Sequence, residues 1–166
     1  MKEWLTHPWL TVRVQIGLGA IFVAAALPKI TDPPSFAQMI YNYRILPAGL
    51  INISALVLPW IELVTGLCLI LGIWTRPARW AIGGMLVVFM VAITFNLLRG
   101  HAVDCGCFAV TGPPLTYDEK IYEMWIVLLR DAGMLLMLGQ LWWAERHTRV
   151  ELGTQPIPLT EAHERA

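Results

Sequence analysis

Four apolar stretches, each long enough to cross a lipid bilayer, constrain this chain more than any other feature. They run from about Leu10 to Leu27, Leu50 to Trp74, Trp80 to Leu98 and Tyr122 to Ala144. A transmembrane helix needs roughly 20 apolar residues, whereas a transmembrane strand needs about 10 that alternate with polar ones. The stretches are too long and too uniformly apolar for strands. The sequence therefore predicts an all-α fold, a four-helix transmembrane bundle.

The composition fits a protein embedded in a lipid bilayer. Charged residues make up 14% of the 166 residues and hydrophobic residues 57%, whereas soluble domains carry about 25% charged residues. Twelve Lys and Arg balance twelve Asp and Glu, so no net charge attracts nucleic acid, and no such partner is expected. The predicted bundle covers residues 1–149, and the polar residues 150–166 form a C-terminal tail.

A short amphipathic surface helix is predicted between the first two spans. Asp32 followed by Pro33 is a typical helix start, because an acceptor side chain caps the first turn and proline suits its first position. An apolar stripe at helical spacing follows, formed by Phe36, Met39, Ile40 and Tyr43. We expect this helix to lie on the outer membrane surface or to cap the bundle.

The distribution of cations and aromatic residues predicts an orientation. An even number of spans places both termini on one side. With the termini inside, the inner segments hold seven of the twelve Lys and Arg residues, four of them close to span ends: Arg76, Arg79, Arg146 and Arg149. Five tryptophans would ring the same interface: Trp9, Trp74, Trp80, Trp142 and Trp143. The positive-inside rule therefore favours cytoplasmic termini and outward-facing connections after the first and third spans.

The sharpest chemical feature is a cysteine pair in the connection before the last span. One glycine separates Cys105 from Cys107. A disulfide between them closes a small, strained ring, and strained exposed disulfides exchange readily with thiols. On an oxidising outer face, the pair suits a redox couple better than a structural staple, because so short a loop contributes little entropic stabilisation.

Three neighbours of the pair are further catalytic candidates: Arg99, His101 and Asp104. A nearby cation favours the thiolate form of a cysteine, so Arg99 could activate the pair, or it could anchor its helix at the lipid headgroups. His101 could move protons, and Asp104 could cap the turn or bind Arg99. Two other interpretations of the pair stay open: a structural clip, or a metal site with His101, although closed zinc sites use four ligands.

Ionisable residues inside the spans are functional-site candidates by default. Glu62 lies near the middle of the second span, and Arg130 and Asp131 interrupt the fourth. Arg130 and Asp131 are neighbours about 100° apart on a helix, so we expect them to point in different directions. Glu62 could pair with Arg130 or remain protonated, and both a structural ion pair and a proton route stay open. Cys68 is interpreted as a small core residue.

Several short motifs accompany the cysteine pair: Gly17–Phe22, Lys29-Ile30, Asp32-Pro33, Ile45–Pro47, Pro59 with Glu62, Arg99-Gly100 and Arg130-Asp131. With them the chain resembles the DoxX-like membrane proteins, and most closely the MauE branch, named for methylamine utilisation. The resemblance covers roughly residues 10–144. Its most specific motif is Cys105-Gly106-Cys107-Phe108, followed here by Ala109 where a glycine is expected.

The resemblance implies a redox-associated protein in a bacterial or archaeal cytoplasmic membrane. Cys105 and Cys107 would act as a thiol–disulfide oxidoreductase, exchanging disulfides with a thioredoxin-like periplasmic protein or another client. Analogy with other four-helix disulfide-generating membrane proteins implies a quinone as the electron acceptor. The alternative is a non-catalytic accessory subunit of a larger respiratory or photosynthetic membrane complex, in which the pair is a permanent clip.

Overall fold

A computed structural model of the chain describes residues 7–103 and 116–154. In these ranges five helices follow one another: α1 (Pro8–Thr31), α2 (Pro33–Asn42), α3 (Ala48–Leu71), α4 (Thr75–Leu98) and α5 (Tyr117–Thr154). The helices α1, α3, α4 and α5 are long and apolar enough to cross a membrane. The predicted all-α bundle, with four spans and a short helix between the first two, is confirmed.

The spanning helices alternate in direction, which gives the bundle two distinct ends. We call the end near Thr31, Ala48, Leu98 and Tyr117 the cysteine end, because the chain between α4 and α5 carries the cysteine pair. The opposite end, near Pro8, Leu71, Thr75 and Arg146, is the terminal end. This antiparallel order is seen in the contact of Gln15 on α1 with Leu69 on α3 at the terminal end, and in hydrogen bonds between the α4 and α5 segments at both ends.

Polar and apolar side chains are distributed as a bilayer requires. Large apolar side chains are exposed on the outward helix faces, for example Leu56, Trp60 and Val64 on α3. By contrast, the interior holds buried charged or amide side chains: Lys29, Glu62, Arg79, Asn96 and Asp131. Lipid solvates the apolar exterior, while water would not. The chain is therefore a multi-pass membrane protein.

The short helix α2 begins and packs as its sequence predicts. The side chain of Asp32 caps the helix, because its Oδ1 accepts a hydrogen bond from the Ser35 N–H at 3.2 Å. Phe36 is buried against Ala55 of α3, and Tyr43, at the end of the same stripe, is also buried. The apolar stripe therefore faces inward, and α2 covers the bundle at the cysteine end.

The turn between α3 and α4 shortens the predicted second span. That span was expected to reach Trp74, but α3 ends at Leu71 because Gly72 adopts a φ of 71°. Glycine accepts this left-handed conformation without strain and often ends a helix in this way. Trp74 also has a positive φ, 47°, and α4 begins directly after it. Arg76 therefore lies in the first turn of a helix rather than in a loop.

The helices α1 and α3 approach each other very closely at two glycines, Gly19 and Gly66. A Cβ atom added to Gly19 would lie 2.6 Å from the carbonyl oxygen of Gly66. A Cβ atom added to Gly66 would lie 2.8 Å from the carbonyl oxygen of Gly19. Both distances are shorter than real Cβ contacts, so the two backbones touch directly. Small residues allow this approach in membranes, where packing drives helix association.

A polar network joins the four spanning helices at the terminal end. Gln15 on α1 donates to the Leu69 carbonyl oxygen on α3 at 2.7 Å. Arg79 on α4 donates to the carboxylate of Glu145 on α5 at 3.1 Å and to Oε1 of Gln15 at 3.4 Å. These bonds fix the relative depth of the helices at this end of the bundle.

Candidate functional site

The predicted redox pair falls outside the described residues. Cys105, Cys107 and the neighbouring Asp104 belong to the range 104–115, which is not described. Their roles therefore stay predictions, as does the metal alternative, which needs both cysteines. The structure does describe the residues on both sides of this range.

Arg99 and His101 both lie at the cysteine end, just before the pair. Arg99 follows the last residue of α4, and its guanidinium carbon lies 5.1 Å from the ring centroid of Phe95. This position suits either predicted role, because a cation over an aromatic ring stays close to the membrane interface. His101 is partly buried, and its main-chain N–H donates to the Asn96 carbonyl oxygen at 2.9 Å.

The two ends of the connection between α4 and α5 are held together. The Tyr117 hydroxyl, at the start of α5, donates to the carbonyl oxygen of Gly100 at 3.0 Å. Gly100 has a φ of 65°, which turns the chain back over the bundle. Val103 is 2% exposed and belongs to an apolar cluster with Tyr43, Ile93, Met124 and Val127. The chain is therefore anchored two residues before Cys105.

A capping box begins α5 on the other side of the connection. The carboxylate of Glu119 accepts from the Thr116 N–H at 2.8 Å and from its hydroxyl at 2.7 Å. This Thr-x-x-Glu spacing is a typical signal for a helix start. The sequence carries this signal in plain form, although the fourth span was predicted to begin only at Tyr122.

The strongest polar contact in the described interior joins Lys29 of α1 to Glu62 of α3. The Lys29 ammonium donates to both carboxylate oxygens, at 2.8 and 2.7 Å. The two side chains are only 3% and 6% exposed. The Lys29 nitrogen also lies 5.2 Å from the ring centroid of Phe36 and 5.7 Å from that of Phe89. Glu62 is therefore paired with Lys29, a partner that the sequence analysis did not consider.

The antiparallel order of α1 and α3 explains why these two residues meet. Every Cα–Cβ bond in a helix tilts toward the N-terminus of that helix. Lys29, in the last turn of α1, therefore reaches back into the bundle. Glu62 on α3 points toward the cysteine end and so toward Lys29. Sequence reasoning missed Lys29 because the residue follows the predicted end of the first span, Leu27. The sequence signal that could have found it is the position of a long lysine side chain at the end of an apolar span, from which it can reach back into the bundle.

Arg130 and Asp131 form a second ion pair beside the first. Nε and Nη2 of Arg130 lie 3.1 and 2.9 Å from Oδ1 of Asp131. The expectation that these neighbours point in different directions is wrong, because the long arginine side chain curves back over its own helix. Asp131 is buried, and Arg130 is partly exposed.

A small cavity lies among these four charged side chains. Its volume is about 40 Å³, and its other walls are apolar residues of α1, α4 and α5. A water molecule needs roughly 10–15 Å³ by a comparable measure, and a benzene-sized ring needs far more. The cavity therefore suits a few waters or a proton carried by them. A quinone ring does not fit it.

Cys68 lies on α3 and is partly buried beside the apolar core that joins the spanning helices. The prediction that it is a small core residue is confirmed. Its place, near the terminal end of α3, separates it along the bundle from the segment that carries Cys105 and Cys107.

A comparison with protein families decides the relationship of this chain. The family model described as "Methylamine utilisation protein MauE" matches residues 7–144.

The chain belongs to the MauE family.

Proteins named "Methylamine utilization protein MauE" are similar to this MauE-family chain. The one from Methylorubrum extorquens is 34% identical over 140 residues, which cover 84% of this chain and 72% of the relative. That from Paracoccus denitrificans is 37% identical over 109 residues, covering 65% of this chain and 59% of the relative. For Methylophilus methylotrophus the identity is 29% over 108 residues, 64% of this chain and 57% of the relative. No solved structure matches.

The family match includes both sites of this MauE-family chain. Residues 7–144 contain the two interior ion pairs and the whole connection between α4 and α5. The chain covers less than two thirds of the Paracoccus and Methylophilus relatives.

Proposed function

We propose that this chain serves methylamine utilisation as a membrane protein that exchanges disulfides with a thioredoxin-like periplasmic protein. Cys105 and Cys107 form the exchanging pair. The cysteine end faces the periplasm, and both termini lie on the cytoplasmic side of the inner membrane. The link to methylamine utilisation comes from the names of the relatives.

The observation that carries this proposal is the anchoring of the segment that contains the pair. The hydrogen bond from Tyr117 to Gly100 joins its two ends, and Val103 is buried two residues before Cys105. This anchoring supports the proposal because it attaches the segment to the cysteine end of the bundle, where we propose that a soluble protein meets the pair. Exchangeable disulfides need this access.

The exchange is balanced without any further reactant. A thiolate of the reduced partner attacks one sulfur of the Cys105–Cys107 disulfide, and a mixed disulfide forms while the other cysteine leaves as a thiolate. The second thiol of the partner then attacks the mixed disulfide. The partner ends as a disulfide, and the pair ends as a dithiol, with two electrons and two protons transferred. The reverse sequence oxidises the pair.

Electron transfer to a quinone is not part of this proposal. The resemblance implies a quinone, but the described cavity among the charged side chains has only about 40 Å³. The residues that line it therefore do not accommodate the ring. The proposal therefore includes only the exchange with the soluble partner or client.

The proposed orientation follows from the arginines at the terminal end. Arg76 and Arg79 lie in the first turns of α4, and Arg146 closes the last candidate span. Cations close to span ends favour the cytoplasmic side.

After mild reduction of intact cells, a membrane-impermeant maleimide should label Cys105 or Cys107 but not Cys68. Labelling that requires inverted vesicles would reverse the orientation.

Single cysteine variants test the exchange itself. In Cys107→Ser, the thiolate of Cys105 attacks an oxidised thioredoxin-like protein, and this chain has no second thiol that could resolve the mixed disulfide. The partner's own second thiol can reverse the step, so the reaction is stopped by acid and the free thiols are alkylated. We expect a mixed disulfide, visible on non-reducing gels and identified by mass spectrometry, from Cys107→Ser or Cys105→Ser. The matched control is Cys68→Ser, which leaves the pair intact and should accumulate no such species.

The accessory-subunit alternative predicts the opposite result. A permanent clip would stay oxidised across a graded glutathione buffer, and neither single variant would trap a partner. That outcome would reject the exchange proposal and leave the pair as a structural disulfide of a larger assembly.

A further inference from the structure

The terminal end of the bundle carries a groove that the disulfide chemistry does not use. It lies between α4 and α5, has a volume of about 340 Å³, and is lined by Arg76, Trp80, Trp142, Glu145 and Arg146. A second concave surface adjoins it and shares Trp142 and Arg146, with Trp143 and Gly139 as its other lining residues. We call the two together the headgroup groove. We propose that it binds the phosphate of an anionic phospholipid.

The charges around the groove favour an anion. Arg76 donates to Oε1 of Glu145, and Arg79 donates to Oε2 at 3.1 Å. One carboxylate therefore meets two guanidinium groups, and Arg146 adds a third cation at the rim. The described titratable side chains here sum to a net positive charge. The single carboxylate cannot neutralise the cluster.

Arg76 retains donors for a second anion. Its side chain is 56% exposed, and its bond to Glu145 uses Nε. A guanidinium group carries five N–H donors, so most of them remain for another acceptor. Planar guanidinium groups bind phosphate through two parallel bonds, which a lysine cannot do. The groove thus offers the chemistry of a phosphate site.

The aromatic side chains place the groove at the depth of lipid headgroups. The rings of Trp80 and Trp142 lie with their centroids 4.4 Å apart, and Trp143 is exposed beside them. Tryptophan concentrates at membrane interfaces, because its ring prefers the boundary between headgroups and acyl chains. The candidate spans begin at Thr75 and end at Arg146, so the arginines lie where these spans meet the headgroup region.

The groove also has room for the acyl part of a lipid. Gly139 lies almost two helical turns deeper than Arg146, and a Cβ atom added there would meet no atom within 4 Å. The missing side chain leaves open space beside Trp142 and Trp143, which forms an apolar recess of the headgroup groove. A phospholipid matches these two surfaces, because its phosphate would meet the arginines and its hydrocarbon chain would enter the apolar recess at Gly139. A free phosphate ion would use only the upper part, which is why we assign the groove to a phospholipid.

Lipid binding to the purified full-length protein tests this assignment directly. Phosphatidylglycerol and phosphatidylcholine with identical acyl chains are titrated in detergent and counted by native mass spectrometry. We expect a roughly tenfold or greater preference for phosphatidylglycerol, because each exposed arginine near the surface favours anionic lipid by about fivefold and two of them, Arg76 and Arg146, line the groove. The preference should fall below about threefold in Arg76→Gln/Arg146→Gln. An equal affinity of the wild-type chain for both lipids would reject the proposal.

A charge-matched variant provides the control. Arg13→Gln/Arg44→Gln also removes two exposed arginines, but neither lines the headgroup groove. We expect this control to keep the full preference for phosphatidylglycerol. An equal loss of preference in the control would show that the preference depends on net charge alone, which would overturn the proposal. Arg146→Gln alone is a second variant, because it leaves the ion pairs of Glu145 with Arg76 and Arg79 in place. It should lower the preference without changing the unfolding temperature.

Inorganic phosphate distinguishes the two sources of the same anion. Added in excess over phosphatidylglycerol, it should displace little of the bound lipid, because it brings no acyl chain to the recess. Displacement at concentrations comparable with the lipid would identify a free phosphate site and overturn the lipid assignment.

Discussion

Replacing Lys29 by methionine is expected to lower the free energy of unfolding by about 3–5 kcal/mol, the usual cost of removing one partner of a buried ion pair. Methionine fills similar space, so the loss concerns charge and hydrogen bonds. The ammonium donates to both oxygens of Glu62 at 2.8 and 2.7 Å, and the variant would leave that carboxylate buried without a cation. Thermal unfolding in detergent micelles measures the change.

Two further variants separate the ion pair from unspecific effects. Arg44→Met removes an exposed cation at the same end of the bundle and should change stability by less than about 0.5 kcal/mol. Lys29→Met/Glu62→Leu replaces the whole pair by apolar groups and should recover most of the lost stability. If Lys29→Met proved as mild as Arg44→Met, the pair would contribute nothing to holding α1 against α3.

The second large effect is expected from a single methyl group at Gly19. Its Cβ would lie 2.6 Å from a backbone oxygen of α3, so Gly19→Ala must push the two helices apart. Overpacking of this kind costs about 1–3 kcal/mol, and here backbone rather than a flexible side chain has to move. We expect a lower unfolding midpoint and a weakened Lys29–Glu62 pair, because both contacts bridge the same helices.

Gly17→Ala is the matched control for this prediction. Gly17 lies on the same helix, but a Cβ atom there would meet nothing within 4 Å. Alanine has the higher helix propensity by about 1 kcal/mol in water-exposed helices, so this variant should be neutral or slightly stabilising. Equal destabilisation by the two substitutions would contradict a specific contact between Gly19 and Gly66.

The bundle itself could be predicted from sequence because lipid allows few alternatives. A run of about 20 apolar residues can satisfy its backbone hydrogen bonds in a bilayer only as a helix. The start of α2 was equally predictable, because aspartate strongly favours the N-cap and proline the first helical position, as Asp32 and Pro33 show here. Span ends were less predictable: Trp74 is apolar, yet the left-handed backbone at Gly72 ends α3 before it.

The interior ion pairs required three-dimensional information. Sequence position indicated that Glu62 lies near the middle of its span, but the partner depended on which helix packs against α3 and in which direction. Lys29 reaches Glu62 only because α1 runs antiparallel and its side chains tilt inward. Arg130 was expected to point away from Asp131, an argument from helical angles that ignored the length of the arginine side chain.

The distribution of charge between the two halves of the chain has a consequence for biosynthesis. Lys29 and Glu62 both belong to the first hairpin, and Arg130 and Asp131 both belong to the last helix. Each hairpin therefore carries the counter-charge of its own interior ion pair, so that pair can form as the hairpin leaves the translocon, before the other half arrives. The contact of Arg79 with Gln15 joins the halves, and it involves a neutral amide on the first hairpin. Assembly in the bilayer thus brings together two segments that have already neutralised the charges at their centres.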